Sequence, residues 1–411
     1  MTFSDFNGEG FYEYSKGKGT VIMSGTISTA FNCCYGDRFN KVTYLPMFKQ
    51  MGEKLGTCYG IGFPRGYAFT DEPMDHMALT KIPTRLNRFV FSNYCKLAGK
   101  PSYYAYQWQG QLIDKMIASK LKKDDCDILF TRANMTKCID MAKSLDKKIV
   151  VLASSSEPMR QYRRYKEEVE YYKIDSNSIY GNKEFAEIAD YGYKQADRII
   201  TISNVSNKTF ISGGYSQEIL NTIPLTGTSF NVHEEAVKGK QKAFISTAMH
   251  SMLKGTHRLL LAWKKAGIKD IPLIIAGGLH DDMKEFIKKY GPFENVIFTG
   301  FCNDLEKYYE AYDAVGILMS FSEGAVRTTP ELMSFGFPMI VSPDATCDIV
   351  EDGKTGFIIE PTDIDALADR LKWFAEDWNR VYDFRENVFE AVKHRKSSDF
   401  GIELAEYLVR V

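Results

Sequence analysis

Short apolar runs alternate with amphipathic segments in two successive series along this chain, and no other feature restricts its fold as strongly. In the first series, residues 127–131, 148–153 and 198–203 have the length and composition of buried strands. An earlier strand is predicted at residues 20–25, with a loop over 26–40. Such alternation is typical of a parallel α/β sheet. The helices predicted in this series span residues 42–55, 137–145, 157–173 and 185–195.

The second series follows a polar stretch at residues 227–242, which has the composition of an interdomain linker. A chain of 411 residues is long enough for two domains, and we assign residues 1–235 to the first and 240–389 to the second. Two doubly wound sheets that face each other form a cleft at the carboxyl ends of their strands, where ligands of such folds bind. The predicted strands of the second series span residues 243–247, 272–276, 296–299, 314–318 and 338–341, and its helices span 257–266, 282–289, 305–312 and 330–335.

Composition excludes several classes of protein. The chain has 52 basic and 53 acidic residues, a balance unlike that of a general nucleic-acid binder. Its 8 cysteines form no C-x-x-C pair, and no Cys/His cluster has ligand spacing, so we expect free thiols and no metal site. The N-terminal residues lack the features of a secretory signal, and no apolar stretch reaches 18 residues, so the expected location is the cytoplasm.

Two glutamates eight positions apart form the sharpest local feature. Glu323 lies in a glycine-containing loop after the strand predicted at residues 314–318. Glu331 lies in the first turn of a helix that we expect to begin at Pro330, with Thr329 as its N-cap. The pair therefore belongs to a strand–loop–helix unit at the carboxyl edge of the second sheet.

This E-x7-E pair resembles the motif of the retaining GT-B glycosyltransferases, the large group 1 family usually numbered four. The resemblance covers nearly all of the C-terminal half, and only thinner matches extend it into the N-terminal half, at residues 196–203 and at Ile223-Pro224. The further matches in the C-terminal half are Lys254-Gly255, the strand-to-turn segments 273–278 and 296–300, Gly336-x-Pro338 and residues 351–356.

The resemblance implies a GT-B fold of two Rossmann-like domains facing a cleft, with a last helix at residues 390–411 that packs back onto the first domain. It implies a hexosyltransferase that retains anomeric configuration and needs neither a metal nor another cofactor. The donor is expected to be a UDP- or GDP-sugar and the acceptor a saccharide or a lipid-linked hydroxyl compound. The expected role is cell-surface or capsular polysaccharide synthesis, with peripheral contact at the inner face of the membrane.

The chemistry of such a donor explains the residue types. A departing nucleoside diphosphate needs cations and helix N-terminal amides to neutralise its charge, and Lys254 supplies a cation. Glu331 is able to accept hydrogen bonds from ribose hydroxyls. Glu323 is assigned a positioning and electrostatic role rather than that of a covalent nucleophile. The full predicted set is Glu323 and Lys254 as catalytic residues, Glu331, Gly324, Ala325, Val326, Thr328, Thr329, His250, Gly277 and Phe301 at the donor, and Gly25, Thr26, Ser154 and Ser155 at the acceptor.

Departures from the family pattern leave two alternatives open. An arginine that the family places before its Lys-Gly pair is replaced by Ala248 and Met249, and His250 is the nearest substitute cation. A histidine expected after the third strand of the first domain is replaced by serines at residues 154–156. A GT-B sugar-nucleotide epimerase and a non-catalytic nucleotide-sugar-binding scaffold are therefore kept as alternatives. The basic helix at residues 157–173 is expected to be mostly exposed and able to contact an acceptor or anionic lipid.

Overall fold

The fold comes from a computed structural model, which describes residues 25–31, 38–61, 77–80, 84–101, 103–234 and 240–411. All strand pairs in these residues are parallel, and they form two sheets. Within the described ranges, the first sheet has 7 strands in the order β3-β2-β1-β4-β5-β6-β7. Its strands are β1 Ile27–Ala30, β2 Leu55–Ile61, β3 Met77–Thr80, β4 Ile128–Thr131, β5 Lys148–Ala153, β6 Arg198–Thr201 and β7 Leu220–Thr222.

The helices described along the first series are α1 Arg38–Met51, α2 Thr84–Leu97, α3 Tyr103–Leu121, α4 Thr136–Ser144, α5 Pro158–Tyr171, α6 Lys183–Lys194 and α7 Asn204–Ser212. Among described residues, the second sheet has 6 strands in the order β10-β9-β8-β11-β12-β13. These are β8 Gln241–Thr247, β9 Leu273–Ala276, β10 Val296–Gly300, β11 Tyr312–Leu318, β12 Met339–Val341 and β13 Gly356–Ile358. The remaining helices are α8 Thr256–Ala266, α9 Asp281–Tyr290, α10 Leu305–Tyr309, α11 Thr328–Met333, α12 Ile364–Glu376, α13 Asn379–Val392 and α14 Ser397–Arg410.

Both strand orders reverse direction beside the first strand of their series. The reversal lies between β1 and β4 in one sheet and between β8 and β11 in the other. Loops leave a doubly wound sheet in opposite directions at such a point and open a crevice at the carboxyl ends of the strands. The predicted α/β architecture of two doubly wound domains is confirmed.

Several elements differ from the sequence-based prediction. β1 occupies Ile27–Ala30, inside the stretch expected to be a loop, while residues 20–24 of the predicted first strand lie outside the described residues. The helix predicted at 305–312 ends at Tyr309, because Tyr312 already pairs with Gln241 across the sheet. The pattern did not predict β2, β3, β7, β13, α2, α3, α7 or α12, several of which mix glycine, polar and aromatic residues without a clear period.

The helix α5 belongs to the first domain in sequence but packs into the core of the second. Tyr165, Val169 and Tyr172 are buried in the same apolar cluster as the strands of the second sheet. Glu168 extends this contact, since its carboxylate accepts hydrogen bonds from His257 and Arg258 of α8 at 2.6 and 2.8 Å. The prediction that this helix is mostly exposed is therefore wrong, because one of its faces forms the contact between the domains.

The C-terminal segment returns to the first domain. α14 packs against α1, and Phe400, Leu404 and Leu408 are buried in the core around β1, β4 and β5. Within residues 390–411 the chain forms the end of α13 and then α14 rather than one helix. None of the helices in the described ranges combines the length and apolar character that crossing a bilayer requires.

Candidate functional site

The predicted catalytic residues Lys254 and Glu323 meet at the switch point of the second sheet. Lys254 ends a short 3₁₀ turn after β8, and Glu323 follows β11. The Lys254 ammonium donates to Glu323 Oε1 at 2.5 Å, and the Ser320 hydroxyl donates to the same oxygen at 2.6 Å. Glu323 is 8% exposed and the Lys254 side chain 25%. The fold thus creates a partly covered ion pair where a ligand of such a sheet binds.

Lys254 stays charged in this position. Burial disfavours its ammonium, but the attraction of the Glu323 carboxylate outweighs burial and raises the pKa of Lys254 above its ordinary value. The α8 helix begins at Thr256 immediately beyond it, so the positive end of the helix dipole lies close to the same point. The arrangement provides a fixed cation and a helix N-terminus able to neutralise an anionic group.

Gly255 between these elements needs to be glycine. Its φ of 69° lies in the left-handed region, and a Cβ there would lie 1.9 Å from the Met319 carbonyl oxygen. The close approach brings the Lys254 turn against the end of β11, which is how residues distant in sequence reach one ion pair.

The loop that carries Glu323 is held from the first domain. The Arg160 guanidinium of α5 donates to the Phe321 carbonyl at 3.1 Å and to the Ser322 hydroxyl at 3.0 Å. It also forms a two-point ion pair with Asp344, at 2.8 and 2.9 Å. A bidentate pair of this kind orients as well as attracts. Arg160 is therefore a positioning residue for the Glu323 loop, a role that the sequence pattern did not assign.

Gly324 and the predicted acceptor residues Ser154 and Ser155 lie together across the cleft. A Cβ on Gly324 would lie 2.5 Å from the Ser154 carbonyl oxygen and 2.8 Å from the Cα of Ser155. The Ser203 hydroxyl donates to the Gly324 carbonyl. The two domains thus touch beside the ion pair, and glycine at 324 permits the contact.

The helix with the second glutamate begins earlier than predicted. α11 starts at Thr328 with Arg327 as its N-cap, rather than at Pro330 with Thr329 as the cap. Thr329 is buried and its hydroxyl donates to the Ala345 carbonyl at 2.9 Å, so it is not available to a donor as predicted. Its N–H bonds the Val326 carbonyl, and proline has no N–H, so fewer free amides point out of this helix than expected.

Glu331 lies in the first turn of α11 and is 7% exposed. Its Oε1 accepts a hydrogen bond from Ser229 at 3.3 Å, from the segment that connects the two sheets. A carboxylate near a helix N-terminus is stabilised by the dipole, and two oxygens leave it further acceptor capacity. Its assignment to ribose binding stays a prediction.

His250 does not act as the substitute cation that the sequence suggested. It is fully buried, its Nε2 contacts the Ala276 carbonyl at 3.0 Å and its Nδ1 the Thr256 hydroxyl at 2.9 Å. A carbonyl only accepts, so Nε2 carries the proton and Nδ1 accepts from Thr256. Burial lowers the pKa of His250 to about 4. The ring is a neutral structural link between β9 and α8.

His250 should make the free energy of unfolding depend on pH. Its folded pKa of about 4 lies below the unfolded value of 6.5, so the stability it contributes is present above pH 6.5 and is lost as pH falls towards 4. A shift of this size corresponds to about 3 kcal/mol at most. Urea denaturation at pH 7 and pH 5 should show His250→Asn less stable than the wild type at pH 7. Between pH 7 and pH 5, the free energy of unfolding should also fall less in His250→Asn than in the wild type. Equal decreases in the two proteins would contradict this account.

The predicted acceptor residues Gly25 and Thr26 lie at the amino-terminal edge of the first sheet, away from the cleft. Thr26 precedes β1, and its N–H donates to Asp127 at 2.9 Å, just before β4. A Cβ on Gly25 would lie 2.5 Å from the same carboxylate. Both residues therefore lie at the amino ends of the strands, whereas the cleft lies at the carboxyl ends. The error arose because β1 begins two residues after Gly25 instead of ending there.

The other predicted donor residues divide into structural and open positions. Gly277 has a φ of 126°, and a Cβ there would lie 1.9 Å from the Ala248 carbonyl oxygen, so its backbone geometry alone requires glycine. Phe301 is 76% exposed just past β10, where a flat ligand has access. Ala325 packs against the core of the first domain, and Val326 is buried in that of the second.

The structure adds two residues that sequence reasoning missed. Tyr180 stacks on His280 with 6.1 Å between ring centroids. Burial raises the pKa of its phenol, with Lys254 opposing and Glu323 reinforcing the shift, so the ring is within electrostatic range of the catalytic pair. Arg132 follows β4 at the switch point of the first sheet, and its guanidinium reaches the Ser154 hydroxyl at 3.4 Å. Arg132 was detectable as a charged residue directly after a buried strand, but Tyr180 lies in an irregular segment with no such signal.

Metal ligands are not clustered in the described part of the chain, where no group of three or more His, Cys, Asp or Glu side chains has suitable geometry. The predicted absence of a metal requirement stays a prediction, because it concerns the reaction rather than the free protein.

Comparison with known proteins identifies relatives of this architecture. Residues 229–391 match the model of the family Glycosyl transferases group 1, and this segment includes Lys254, Glu323 and Glu331. The matched segment is less than half of the 411-residue chain. No curated protein matches the chain in sequence comparison.

Solved structures similar to the whole chain have the same two-domain arrangement. HepE from Anabaena in complex with UDP-glucose has a TM-score of 0.62 at 16% identity, over 94% of this chain and all of that one. The lipopolysaccharide outer core galactosyltransferase WaaB has a TM-score of 0.58 at 14% identity, over 93% and 99% of the two chains. A glycosyltransferase from Rickettsia africae has a TM-score of 0.59 at 16% identity, over 94% and 98%. The fold is GT-B, with two Rossmann-like domains facing a cleft.

Proposed function

We propose that this protein is a glycosyltransferase that moves a hexosyl group from a nucleoside diphosphate sugar to an acceptor hydroxyl. The observation that carries the proposal is the Lys254–Glu323 ion pair at the switch point of the second sheet, beside the N-terminus of α8. The family match over residues 229–391 and the GT-B fold support it. HepE binds UDP and UDP-glucose in the same fold, which favours UDP as the nucleotide.

In the proposed reaction the bond between the anomeric carbon and the β-phosphate oxygen breaks as the acceptor oxygen bonds to that carbon. Negative charge grows on the departing diphosphate, and the Lys254 ammonium and the α8 amides are placed to stabilise it. Glu323 holds Lys254 charged and leaves its second oxygen for sugar hydroxyls. Lys254 and Glu323 already pair in the free protein, so the cation site exists before the donor binds. Donor binding then only rearranges this pair.

Retention of anomeric configuration is part of the proposal. Glu323 is tied to Lys254 and Ser320 through Oε1, so it is arranged to position and stabilise rather than to attack. Transfer from the same face as the leaving group then fits, with the acceptor proton passing to the departing phosphate oxygen. We further propose that no metal is needed and that the acceptor is a saccharide or lipid-linked hydroxyl compound of cell-surface polysaccharide synthesis. Proton NMR of the first-formed product tests retention directly.

Nucleotide binding tests the donor site. We expect UDP at about one hundred times its dissociation constant to stabilise the wild type by about 2.7 kcal/mol, visible as a rise in Tm. Glu331→Gln keeps the shape of the side chain and weakens its acceptors for ribose hydroxyls, so most of that rise should disappear. Glu351→Gln, a change at an exposed carboxylate of the same domain, is the matched control and should respond like the wild type.

The outcomes of this experiment separate the candidate functions. A UDP-induced rise in Tm that disappears in Glu331→Gln supports the donor site. An equal rise in the wild type and in Glu331→Gln would show that Glu331 does not belong to that site. UDP binding without transfer to any acceptor, in a panel of saccharides and lipid-linked saccharides, would favour the scaffold alternative. Conversion of a UDP-sugar into its epimer without an acceptor would favour the epimerase.

A further inference from the structure

A basic and aromatic helical hairpin packs against one side of the first domain, and nothing in the proposed transfer reaction uses it. It consists of α2 and α3, which are five residues apart in the sequence. From the start of α2 to the end of α3, residues 84–121 have six Lys and Arg and one Asp, a net charge of +5, in a chain whose net charge is −1. The single acid, Asp114, is buried and caps α4 by accepting from the Lys137 and Cys138 amides. Among the described side chains of the hairpin, the charged groups that are exposed to solvent are therefore all lysines.

Apolar side chains are exposed on the same hairpin. In α2, Leu97 is 89% exposed and Phe89 66%, and Val90 and Tyr94 are more than half exposed. At 100° per residue these four positions fall within an arc of about 140°, and the buried Cys95 lies opposite. One face of α2 thus packs on the protein while the other presents apolar and aromatic groups to solvent.

The tip of the hairpin combines both kinds of side chain. Trp108 of α3 contacts Tyr94 at 5.3 Å between ring centroids, and the Lys100 ammonium lies 5.4 Å from the Trp108 ring. Aromatic rings and lysines of this type prefer the boundary between water and the hydrocarbon of a bilayer. The contacts hold the tip together, so the exposed groups form a defined surface.

The lysines of the hairpin have no acidic partners in the described residues. Lys96 of α2, Lys115 of α3 and Lys122, one residue past α3, are exposed and form no ion pair there. The basic residues of α5, where the sequence suggested lipid contact, are all paired. Those pairs are Arg160–Asp344, Arg163–Glu157, Arg164–Glu167 and Lys166–Glu170. The basic surface that is free to bind anionic groups is therefore on the hairpin and not on α5.

We propose that the α2–α3 hairpin docks this protein on an anionic lipid surface, with Leu97 and its neighbours inserted among the headgroups and the lysines bound to lipid phosphates. Unpaired positive charge next to exposed apolar side chains complements such a surface in both respects. The hairpin also lies beside the cleft, because Asn182 donates to the Tyr103 and Tyr104 hydroxyls at 3.2 and 3.4 Å, two residues after Tyr180. A lipid-linked acceptor in the same surface would lie near the proposed site.

Vesicle flotation of the full-length chain tests the proposal. The protein should float with phosphatidylcholine vesicles that contain phosphatidylglycerol and not with phosphatidylcholine alone, and high salt should weaken binding by screening. Lys96→Gln/Lys115→Gln/Lys122→Gln should lower the partition coefficient at least about tenfold. Leu97→Ser should lower it at every salt concentration. The matched control, Lys208→Gln/Lys269→Gln/Lys288→Gln, removes three exposed lysines elsewhere and should bind like the wild type.

Equal loss in the test and control triple variants would overturn the proposal, because it would show an effect of net charge rather than of this surface. Absence of binding to the anionic vesicles would overturn it too. Dimerisation in sedimentation experiments that Leu97→Ser abolishes, without vesicle binding, would assign the surface to a second copy of the chain instead. The UDP-induced rise in Tm should be unchanged in all these variants, so failure here is distinguishable from failure of the proposed transfer reaction.

Discussion

Lys254→Met is expected to lower kcat for sugar transfer by about 10²–10³-fold, the loss typical when one fixed group that stabilises transition-state charge is removed. Methionine keeps most of the length and volume of the side chain, and the ammonium alone disappears. The effect should fall mainly on kcat, because charge on the diphosphate grows as the glycosidic bond breaks. Steady-state kinetics with a UDP-sugar and a hydroxyl acceptor measure it.

Removing Lys254 also leaves Glu323 nearly buried without its cation, so loss of stability has to be separated from loss of chemistry. Lys254→Arg restores a cation with different geometry and should recover part of the rate. Lys254→Met/Glu323→Gln removes the unpaired carboxylate and should recover stability but not activity. Lys284→Met, at an exposed lysine paired with Asp281, is the matched control. A Lys254→Met enzyme that stays folded and retains kcat within threefold would exclude Lys254 from the mechanism.

Glu168→Gln is expected to lower the free energy of unfolding by about 3–5 kcal/mol, which is the usual cost of removing one partner from a buried ion pair. Glu168 accepts from His257 Nε2 at 2.6 Å and from two nitrogens of Arg258 at 2.8 and 3.0 Å. His257 Nδ1 has no hydrogen-bond partner among the residues that the structure describes, and burial lowers the pKa of His257 despite Glu168, so this ring is neutral and Arg258 carries the charge. The variant leaves that guanidinium buried without a counter-ion.

The effect of Glu168→Gln should depend on pH. Burial would raise the pKa of Glu168, but hydrogen bonds from His257 and Arg258 outweigh it and lower the pKa below 4.5. The stability contributed by this carboxylate is therefore present above pH 4.5 and is lost as pH falls through the folded value. Urea denaturation at pH 7 and at pH 4 should show the two proteins converging at the lower pH.

Glu167→Gln supplies the control for this prediction. Its carboxylate lies one residue away and forms an exposed pair with Arg164, so the change should cost no more than about 0.5 kcal/mol. Equal costs for the two substitutions would mean that the contact between α5 and α8 does not stabilise the domain arrangement. Because Glu168 lies in α5 and its partners in α8, its loss should also weaken the docking of Arg160 on the Glu323 loop.

The strands and helices of the second domain were largely predictable from the sequence. Its runs at 243–247, 272–276 and 314–318 consist mainly of apolar residues, with Ser246 and Thr247 as exceptions, because these parts of β8, β9 and β11 are buried between layers of helices. The first domain was harder to predict. β2 and α3 mix glycine, polar and aromatic residues, and only packing against neighbouring elements decides the conformation of such segments.

The residues of the candidate site also divide into those whose place the sequence predicted and those that only the structure located. The positions of Lys254 and Glu323 followed from local rules, since the loops that follow buried parallel strands gather at one edge of a sheet. His250 also lies in a loop after a buried strand, and Thr329 lies between the two glutamates of the loop–helix unit. Both side chains are nevertheless buried and hydrogen-bonded within the protein. Burial depends on what packs above a residue, and a local pattern does not contain that information.

The sequence by itself determined the two doubly wound sheets, the edge at which the site lies and the glutamate spacing of the loop–helix unit, because strand length, hydrophobic period and glycine position act within a few residues. Tertiary structure decided the rest. Only the packing of α5 against the second domain showed that Arg160 holds the Glu323 loop and that Glu168 joins the domains. Only the start of β1 showed that Gly25 and Thr26 lie away from the cleft. These facts depend on contacts between residues roughly 90–160 positions apart, whose free energy no local pattern records.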